Sequence, residues 1–357
     1  MSCILRPEVI WIEGRCYRIN DPNTEISALQ EHDLYEDEIT FQDAGDDESY
    51  DDFEIIEIDS NRFATNLHVP KHYIGAIIGK KGVMRSRIER DTGTNIKIPR
   101  QGEAGDITIF GPSVTNVKAA CRRINIIVMS SRMKQKPTHF ISIPLNTPTI
   151  MKNFEKFKET VLQEVKDLDE SLFIGAHKLH ITVGVMCLMD NEERLQATKL
   201  LSEAKDQIIM PLLQEKLPLQ IRLKGLSYMN DDPKNIHVLY ANVEDEAGTD
   251  IIQRLADDLV NFFHKAGFMR NNEYGRDRVK LHVTLLNSKY RSKSNSEETS
   301  TNGRKVKEPF DGSQILNKFV DYDFGVTEIT DVHLSQMKTM GDDGYYQPTF
   351  VVTLNKN

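Results

Sequence analysis

The sequence predicts an α+β protein built from two successive modules behind an acidic stretch. Three observations carry that prediction. Residues 62–133 read in the order strand, helix, helix, strand, strand, helix. Residues 139–285 hold two similar strand–helix–strand units, one ending in Lys178-Leu179-His180-Ile181-Thr182-Val183 and the other in Lys280-Leu281-His282-Val283-Thr284-Leu285. Charge is also segregated: sixteen acidic residues and no Lys or Arg lie between Asp21 and Asp59, whereas residues 71–136 carry fourteen Lys/Arg against four Asp/Glu. The formal net charge of −9 thus hides a basic module, and local positive charge is what a nucleic-acid-binding surface needs.

The 357 residues, 39% hydrophobic and 28% charged, are ample for real cores and ordinary for a globular protein. No apolar run is long enough to cross a bilayer, so no membrane partner is expected. The first residues lack the basic-then-apolar layout of a secretory signal, which predicts an intracellular protein. Cys3, Cys16, Cys121 and Cys187 show no paired spacing, against a disulfide framework or a Cys-rich metal site.

Residues 1–20 form a hairpin-like segment in which 9–12 and 16–19 flank Glu13-Gly14 and Trp11 is the only Trp. A lone hairpin is marginally stable, so this segment reads as one that docks on a partner. Residues 21–60 read as an acidic linker, largely flexible. The first module, 61–134, is expected to comprise strand 63–69, helix 73–78, a tight loop 79–82, helix 83–92, strands 95–99 and 106–110, and helix 114–129. Ser113 caps that last helix. The second module, 137–357, begins with strand 139–145, helix 149–167 and the strand of His180. Strand 219–229 follows, then strand 237–243, helix 249–267 and the strand of His282. The two motifs hold equivalent places in the halves, which brings them together across a pseudo-two-fold axis. Residues 291–309 are polar and aperiodic and read as a mobile loop. Segments 326–337 and 346–354 close the chain as a hairpin.

Two patterns carry chemistry. The first is Ile77-Ile78-Gly79-Lys80-Lys81-Gly82, set between two helices. Glycines let a nucleic-acid backbone approach closely, and Lys80 and Lys81 would meet its phosphates. Arg85 and Arg87 add charge, and Ile74, Ile78, Ile88, Ile96 and Ile98 offer an apolar floor for bases, with most of these isoleucines expected to be core on any reading. A phosphate loop of NTPases is a poor fit. Gly75 to Gly79 is one residue short, no Ser or Thr follows Lys80, and a helix precedes the loop. The loop and the order of elements resemble the type I KH domain. That resemblance implies single-stranded RNA, or DNA, held over about four nucleotides. A KH fold kept only as a protein-binding scaffold is the competing reading, and the intact loop and basic balance favour nucleic acid.

The second pattern is the paired His-x-Thr. One copy is a weak signal, since His333-Leu334-Ser335 also fits, and a core-strand histidine bonded to its neighbours is the plain alternative. The longer shared hexapeptide separates His180 and His282 from His333, for which the core reading is preferred. On a strand, i and i+2 share a face, so His180 joins Thr182 and His282 joins Thr284. Two imidazoles can take and give protons near neutral pH, and two hydroxyls can hold the non-bridging oxygens of a phosphodiester. Lys178 and Lys280 would share that face as a phosphate or nucleotide rim, with Tyr290 and Arg291 close by. Nothing asks for a cofactor or a metal: His177-x-x-His180 lacks the usual Zn spacing.

These features resemble the two-histidine phosphoesterase superfamily, which includes bacterial RNA ligase/cyclic phosphodiesterase proteins and the nucleotide-binding domain of A-kinase anchoring protein seven. The resemblance implies a two-lobed domain with antiparallel sheets around a central cleft. It implies hydrolysis of 2′,3′-cyclic or 2′–5′ linked phosphodiesters, or nucleotide binding alone. A KH module joined to such a domain further resembles a family of transcription-cointegrator complex subunits. That implies a nuclear protein acting with a helicase and other cointegrator subunits in transcription coactivation and alkylation repair. Two functions stay open: a metal-independent RNA or nucleotide phosphodiesterase, and a non-catalytic reader and adaptor using the same cleft and groove.

Overall fold

The computed structural model describes residues 9–12, 15–18, 53–59, 62–100, 105–213, 216–269, 278–291 and 308–354. The chain divides into a unit of residues 1–53 and a larger one of residues 54–357. In the first, β1 (Val9–Ile12) and β2 (Arg15–Arg18) pair antiparallel, with Val9 opposite Arg18 and Ile12 opposite Arg15. Most of the acidic stretch lies outside the described residues.

The larger unit opens with β3 (Ile56–Asp59), inside the segment expected to be linker. Its alternating Ile-Glu-Ile-Asp pattern adds an antiparallel edge strand to β4 (Arg62–Leu67), so the linker reading is corrected here. There follow α1 (Lys71–Ile78), a 3₁₀ turn (Lys80–Gly82), α2 (Val83–Thr92), β5 (Asn95–Lys97), β6 (Ile107–Gly111) and α3 (Val114–Met133). The strands order β3-β4-β6-β5, and Ile88, Ile96, Ile107, Ile109, Cys121 and Ile124 fill the core beneath the helices. The Ser113 side chain accepts from the Asn116 amide at 3.2 Å, fixing where α3 begins.

The second module runs β7 (His139–Pro144), α4 (Pro148–Glu164), β8 (His180–Met186), α5 (Asn191–Ala204), a π turn (Lys205–Ile209), α6 (Met210–Leu213) and β9 (Gln220–Tyr228). It continues with β10 (Val238–Asp245), α7 (Ile251–Lys265), β11 (His282–Asn287), α8 (Ser313–Phe319), β12 (Asp323–Glu328), β13 (Asp331–Met340) and β14 (Tyr346–Thr353). All eight strands form one antiparallel sheet ordered β12-β9-β10-β11-β8-β7-β13-β14. The duplicated units β7-α4-β8 and β10-α7-β11 meet at its centre, where Val283 lies opposite Ile181. Ile181, Val183, Val283 and Leu285 point into the core with Phe154, Phe157, Leu255 and Phe263 from α4 and α7.

Segment 326–337, read above as one strand, is two. It breaks at Ile329-Thr330, and β12 pairs with β9 at one edge of the sheet while β13 lies beside β7 near the other. The buried positions step from Thr327 and Ile329 to Val332 and Leu334 at the break, but local sequence does not say that the chain leaves one edge for the other. Residues 292–307 of the expected mobile loop lie outside the described residues.

The two modules pack together through a buried ion pair. Arg132, near the end of α3, places Nη2 2.6 Å from Oε1 of Glu193, and both side chains are almost wholly buried. The guanidinium lies 4.7 Å from the Phe268 ring centroid, and Oε2 of Glu193 accepts the Met189 amide at 2.6 Å. His68, at the end of β4, adds a more exposed link, with one ring nitrogen 3.0 Å from Asp106 and the other 2.9 Å from Asp190. Removing one partner of a buried pair strands the other charge away from water. Glu193→Ala should therefore cost about 3–5 kcal/mol in urea unfolding. Breaking the exposed Arg87–Asp91 pair with Arg87→Ala should cost about 0–1 kcal/mol. Equal effects from the two variants would show that Arg132–Glu193 does not hold the modules together.

Candidate functional site: a two-histidine cleft beside a Gly-Lys-Lys-Gly loop

Because side chains alternate along β8 and β11, burying Ile181 and Val283 turns His180, Thr182, His282 and Thr284 to the other face. The antiparallel register sets His282 across from Thr182 and Thr284 across from His180. All four are half-buried. Neighbouring strands extend this face: Ser142 lies opposite Thr182 on β7, and Tyr240 opposite Thr284 on β10.

Both imidazoles are held the same way. Nδ1 of His180 donates to the Lys178 carbonyl and Nδ1 of His282 to the Lys280 carbonyl, each at 2.7 Å. A carbonyl can only accept, so the proton sits on Nδ1 in each ring and Nε2 keeps its lone pair. For His180 that lone pair takes the Thr182 hydroxyl proton, at 3.0 Å. Burial drives the His180 pKa down to about 4, outweighing the carbonyl that favours the charged form. The His282 pKa is lowered too, by burial and then by the nearby Lys280 charge. At neutral pH the site therefore presents two uncharged imidazoles whose Nε2 lone pairs are available but whose basicity burial has lowered.

Aromatic rings confine them. Phe140 and Tyr346 stand 5.2 and 5.4 Å from His180, and Tyr240 stands 5.3 Å from His282. Below, Tyr345 donates its hydroxyl to Ser142 at 3.0 Å, and Ser142 lies 3.0 Å from Ser335, forming a closed hydroxyl network. His333 packs edge-on against Tyr345, half-buried and with its Nδ1 unbonded. Since Val332 and Leu334 on either side fill the core, its ring lies on the opposite face of β13 and is not the core histidine bonded to its neighbours that was expected.

The expected rim is only partly assembled. Lys178 belongs to a 3₁₀ turn (Ala176–Lys178), and β8 begins at His180, so no regular strand carries the Lys178 side chain to the face. Its contribution is its carbonyl. Lys280 also precedes its strand, yet its ammonium sits 4.8 Å from the Tyr240 ring centroid, close to His282. The Tyr290 hydroxyl lies near enough to that of Tyr346 for the two to influence each other's titration, which puts Tyr290 beside the rings around His180. Arg291 is engaged elsewhere. It donates to the Pro309 carbonyl at 3.0 Å, pairs with Glu308 at 3.7 Å, and lines a separate cavity with Asp167 and Asp169. Its guanidinium is thus held at Pro309 and Glu308, so its placement at the phosphate is corrected. His177 lies against Gly344 of the β13–β14 turn. Lys289, Phe140, Tyr240 and Tyr346 escaped sequence reasoning because strand register, which the motif does not encode, brings them in.

In the first module, the loop between α1 and α2 is forced tight. Gly79 has φ +69° and a Cβ there would come 2.7 Å from Cβ of Met84, so only glycine fits. Lys81, a non-glycine, is held at φ 54°, a conformation that costs about 1–3 kcal/mol. Lys80 and Lys81 are exposed, as are Ile78 and, at 66%, Val83. Ile74 and Ile98 remain half-exposed, but Ile88 and Ile96 are core and cannot receive bases. Arg85 is tied to Glu89 at 3.1 Å, and Arg87 reaches Asp91 at 3.9 Å, so much of their charge is already answered.

This geometry agrees with comparisons to known proteins. Residues 64–126 match the KH domain, and residues 137–354 match the AKAP7 2'5' RNA ligase-like domain. The activating signal cointegrator 1 complex subunit 1 of Mus musculus is 30% identical over 354 residues, covering 96% of this chain and 97% of that one. The chain belongs to that family. An uncharacterized protein of Schizosaccharomyces pombe is 27% identical over 153 residues, 42% of this chain and 66% of its own. Among solved structures, E. coli LigT in its apo form is 15% identical, with 61% of this chain and 98% of that chain covered and a TM-score of 0.34. The first KH type I domain of human vigilin is 25% identical over 24% of this chain and 89% of its own, with a TM-score of 0.20.

The lowered pKa values give a pH dependence with a definite sign. Between about 4 and 6.5, the unfolded chain binds a proton that folded His180 refuses, so unfolding takes up protons and stability falls as pH falls through that window. Buried His139, also lowered to about 4, acts in the same direction. Replacing His180 with Phe should flatten part of the fall in urea midpoint between pH 6.5 and about 4. An unchanged acid limb would mean that His180 titrates normally in the fold.

Proposed function

We propose that this protein is an RNA-binding subunit of a larger complex. Its KH groove holds a single strand, and its two-histidine cleft receives a phosphodiester for metal-independent acid–base cleavage. The observation that carries this reading is the pair of Nδ1-anchored imidazoles, each with a free or Thr-bonded Nε2 on one face of a single sheet. One Nε2 takes the proton of the incoming oxygen, and the other, once protonated, delivers a proton to the leaving oxygen. Thr182 and Thr284 donate to the non-bridging oxygens, where negative charge must be held. A bound phosphodiester anion between the rings favours the imidazolium that burial otherwise disfavours.

A second reading, a cleft that retains a nucleotide without turnover, has one observation in its favour. Both resting histidines are uncharged, so no general acid stands ready before a ligand arrives. Family membership further supports, as part of this proposal, a nuclear subunit acting beside a helicase in transcription coactivation and repair of alkylated nucleic acid.

Hydrolysis of a cyclic or short RNA phosphodiester, followed beside mononucleotide binding, tests the cleft. Changing both His180 and His282 to Ala should remove hydrolysis, and either change alone should lower kcat by about 10²–10⁴-fold. Binding by the wild type with no hydrolysis of any such substrate would establish the second reading. In the groove, Lys80→Asp with Lys81→Asp should weaken single-strand RNA binding and flatten its salt dependence. A superimposable binding curve would take the Gly-Lys-Lys-Gly loop out of the account.

A further inference from the structure

Beside each histidine of the cleft, a lysine rests on a tyrosine ring, and the two lysines flank the histidine pair from opposite ends of β11. Lys280 precedes that strand, and its ammonium lies 4.8 Å from the centroid of Tyr240, the ring that abuts His282 at 5.3 Å. Lys289 follows the strand, within a 3₁₀ turn (Ser288–Tyr290) fixed by its own amide donating to Asn287 Oδ1 at 3.0 Å. Its ammonium lies 4.6 Å from the Tyr290 ring centroid. The Tyr290 hydroxyl lies close to that of Tyr346, the ring that stands 5.4 Å from His180. The Lys280 charge is felt at His282, and the Lys289 charge at both His180 and Tyr346. Among the described residues, neither ammonium has a carboxylate within ion-pair distance.

An ammonium on an accessible aromatic face is held weakly, and its four-carbon stem lets it swing to a better partner. A phosphate oxygen is that partner, because both groups are charged. The phosphoryl group being attacked is already served by two imidazoles and two hydroxyls. Two further cations, one on each side, therefore answer charge that a mononucleotide with a single phosphoryl group does not carry. A strand with a phosphate on either side of the attacked linkage does carry it.

We propose that Lys280 and Lys289 are phosphate-binding residues on either side of the histidine pair, so that the cleft selects an internal linkage of a single-stranded oligonucleotide over a mononucleotide. The inference rests on reading the cleft as a phosphodiester site. It also moves the cation beside His180 from Lys178, where the sequence pattern had put it, to Lys289.

Equilibrium binding to the full chain tests this, with Lys80→Asp and Lys81→Asp present throughout so that the KH groove is silenced. The probes are adenosine 5′-monophosphate and a 5′-phosphorylated adenylate trinucleotide. The trinucleotide should bind more tightly. Lys280→Gln and Lys289→Gln should each weaken it about tenfold and lower its salt slope by roughly one released counterion, with the monophosphate changed by about twofold or less. Equal affinity for the two probes would overturn the proposal. So would an unchanged trinucleotide affinity and salt slope in both lysine variants while His180→Ala still weakens both probes, and that result would leave the cleft reading standing. If neither probe responds to His180→Ala with His282→Ala, the cleft reading falls and this inference with it.

Discussion

The contact between β8 and β11 is the constraint on which the rest of the site depends. Ile181 and Val283 face each other there and are both fully buried. A one-residue slip in either strand would exchange every inward and outward side chain, putting an imidazole into the packing of α4 and α7 and an isoleucine or valine into the cleft. Burial of apolar residues on one face therefore specifies the chemistry of the other. The duplicated strand–helix–strand unit makes the arrangement nearly symmetric, with the same Nδ1–carbonyl bond in each half.

The same burial creates a tension that the cleft has to resolve. Rings of Phe140, Tyr240 and Tyr346 orient the imidazoles and thin out the water around them, and this is what drives their pKa values down. Uncharged histidines have a lone pair free to accept a proton, but the lowered pKa makes them weak bases, and neither Nε2 holds a proton to donate. An anion between the rings reverses the balance for one of them, so ligand binding and proton chemistry are coupled in this site. Nearby ammonium groups add to the effect in the empty cleft, since they disfavour imidazolium there.

The modules are one compact unit because Arg132 and Glu193 meet where α3, α5 and the end of α7 converge. Fully desolvated charges contribute little net stability against an apolar alternative, yet they are costly to separate. Their effect is to define one docking geometry. The strained Lys81 and the exposed Lys80 stay available in the loop beyond it, while Arg85 and Arg87 are drawn into pairs with Glu89 and Asp91.

Much of this was legible in the residues. Period-2 alternation gave β8 and β11 to within three residues, and the repeated hexapeptide singled out both histidines and both threonines. Gly79 and Gly82 marked a loop whose backbone demands them. What failed was whatever depended on register or on residues distant along the chain. Lys178 fell out because the strand starts later than the motif, Arg291 because Glu308 and Pro309 capture it, and Ile88 and Ile96 because the core claims them. Segment 326–337 proved to be two strands, the buried positions stepping from Thr327 and Ile329 to Val332 and Leu334 across the break at Ile329-Thr330. Local sequence fixes which faces are apolar and where a chain can turn, since those follow from side-chain chemistry and backbone sterics. Only the tertiary structure decides which rings and ammonium groups close around the histidines, because Phe140, Tyr240 and Tyr346 lie some forty or more positions from them along the chain and reach them only through strand order.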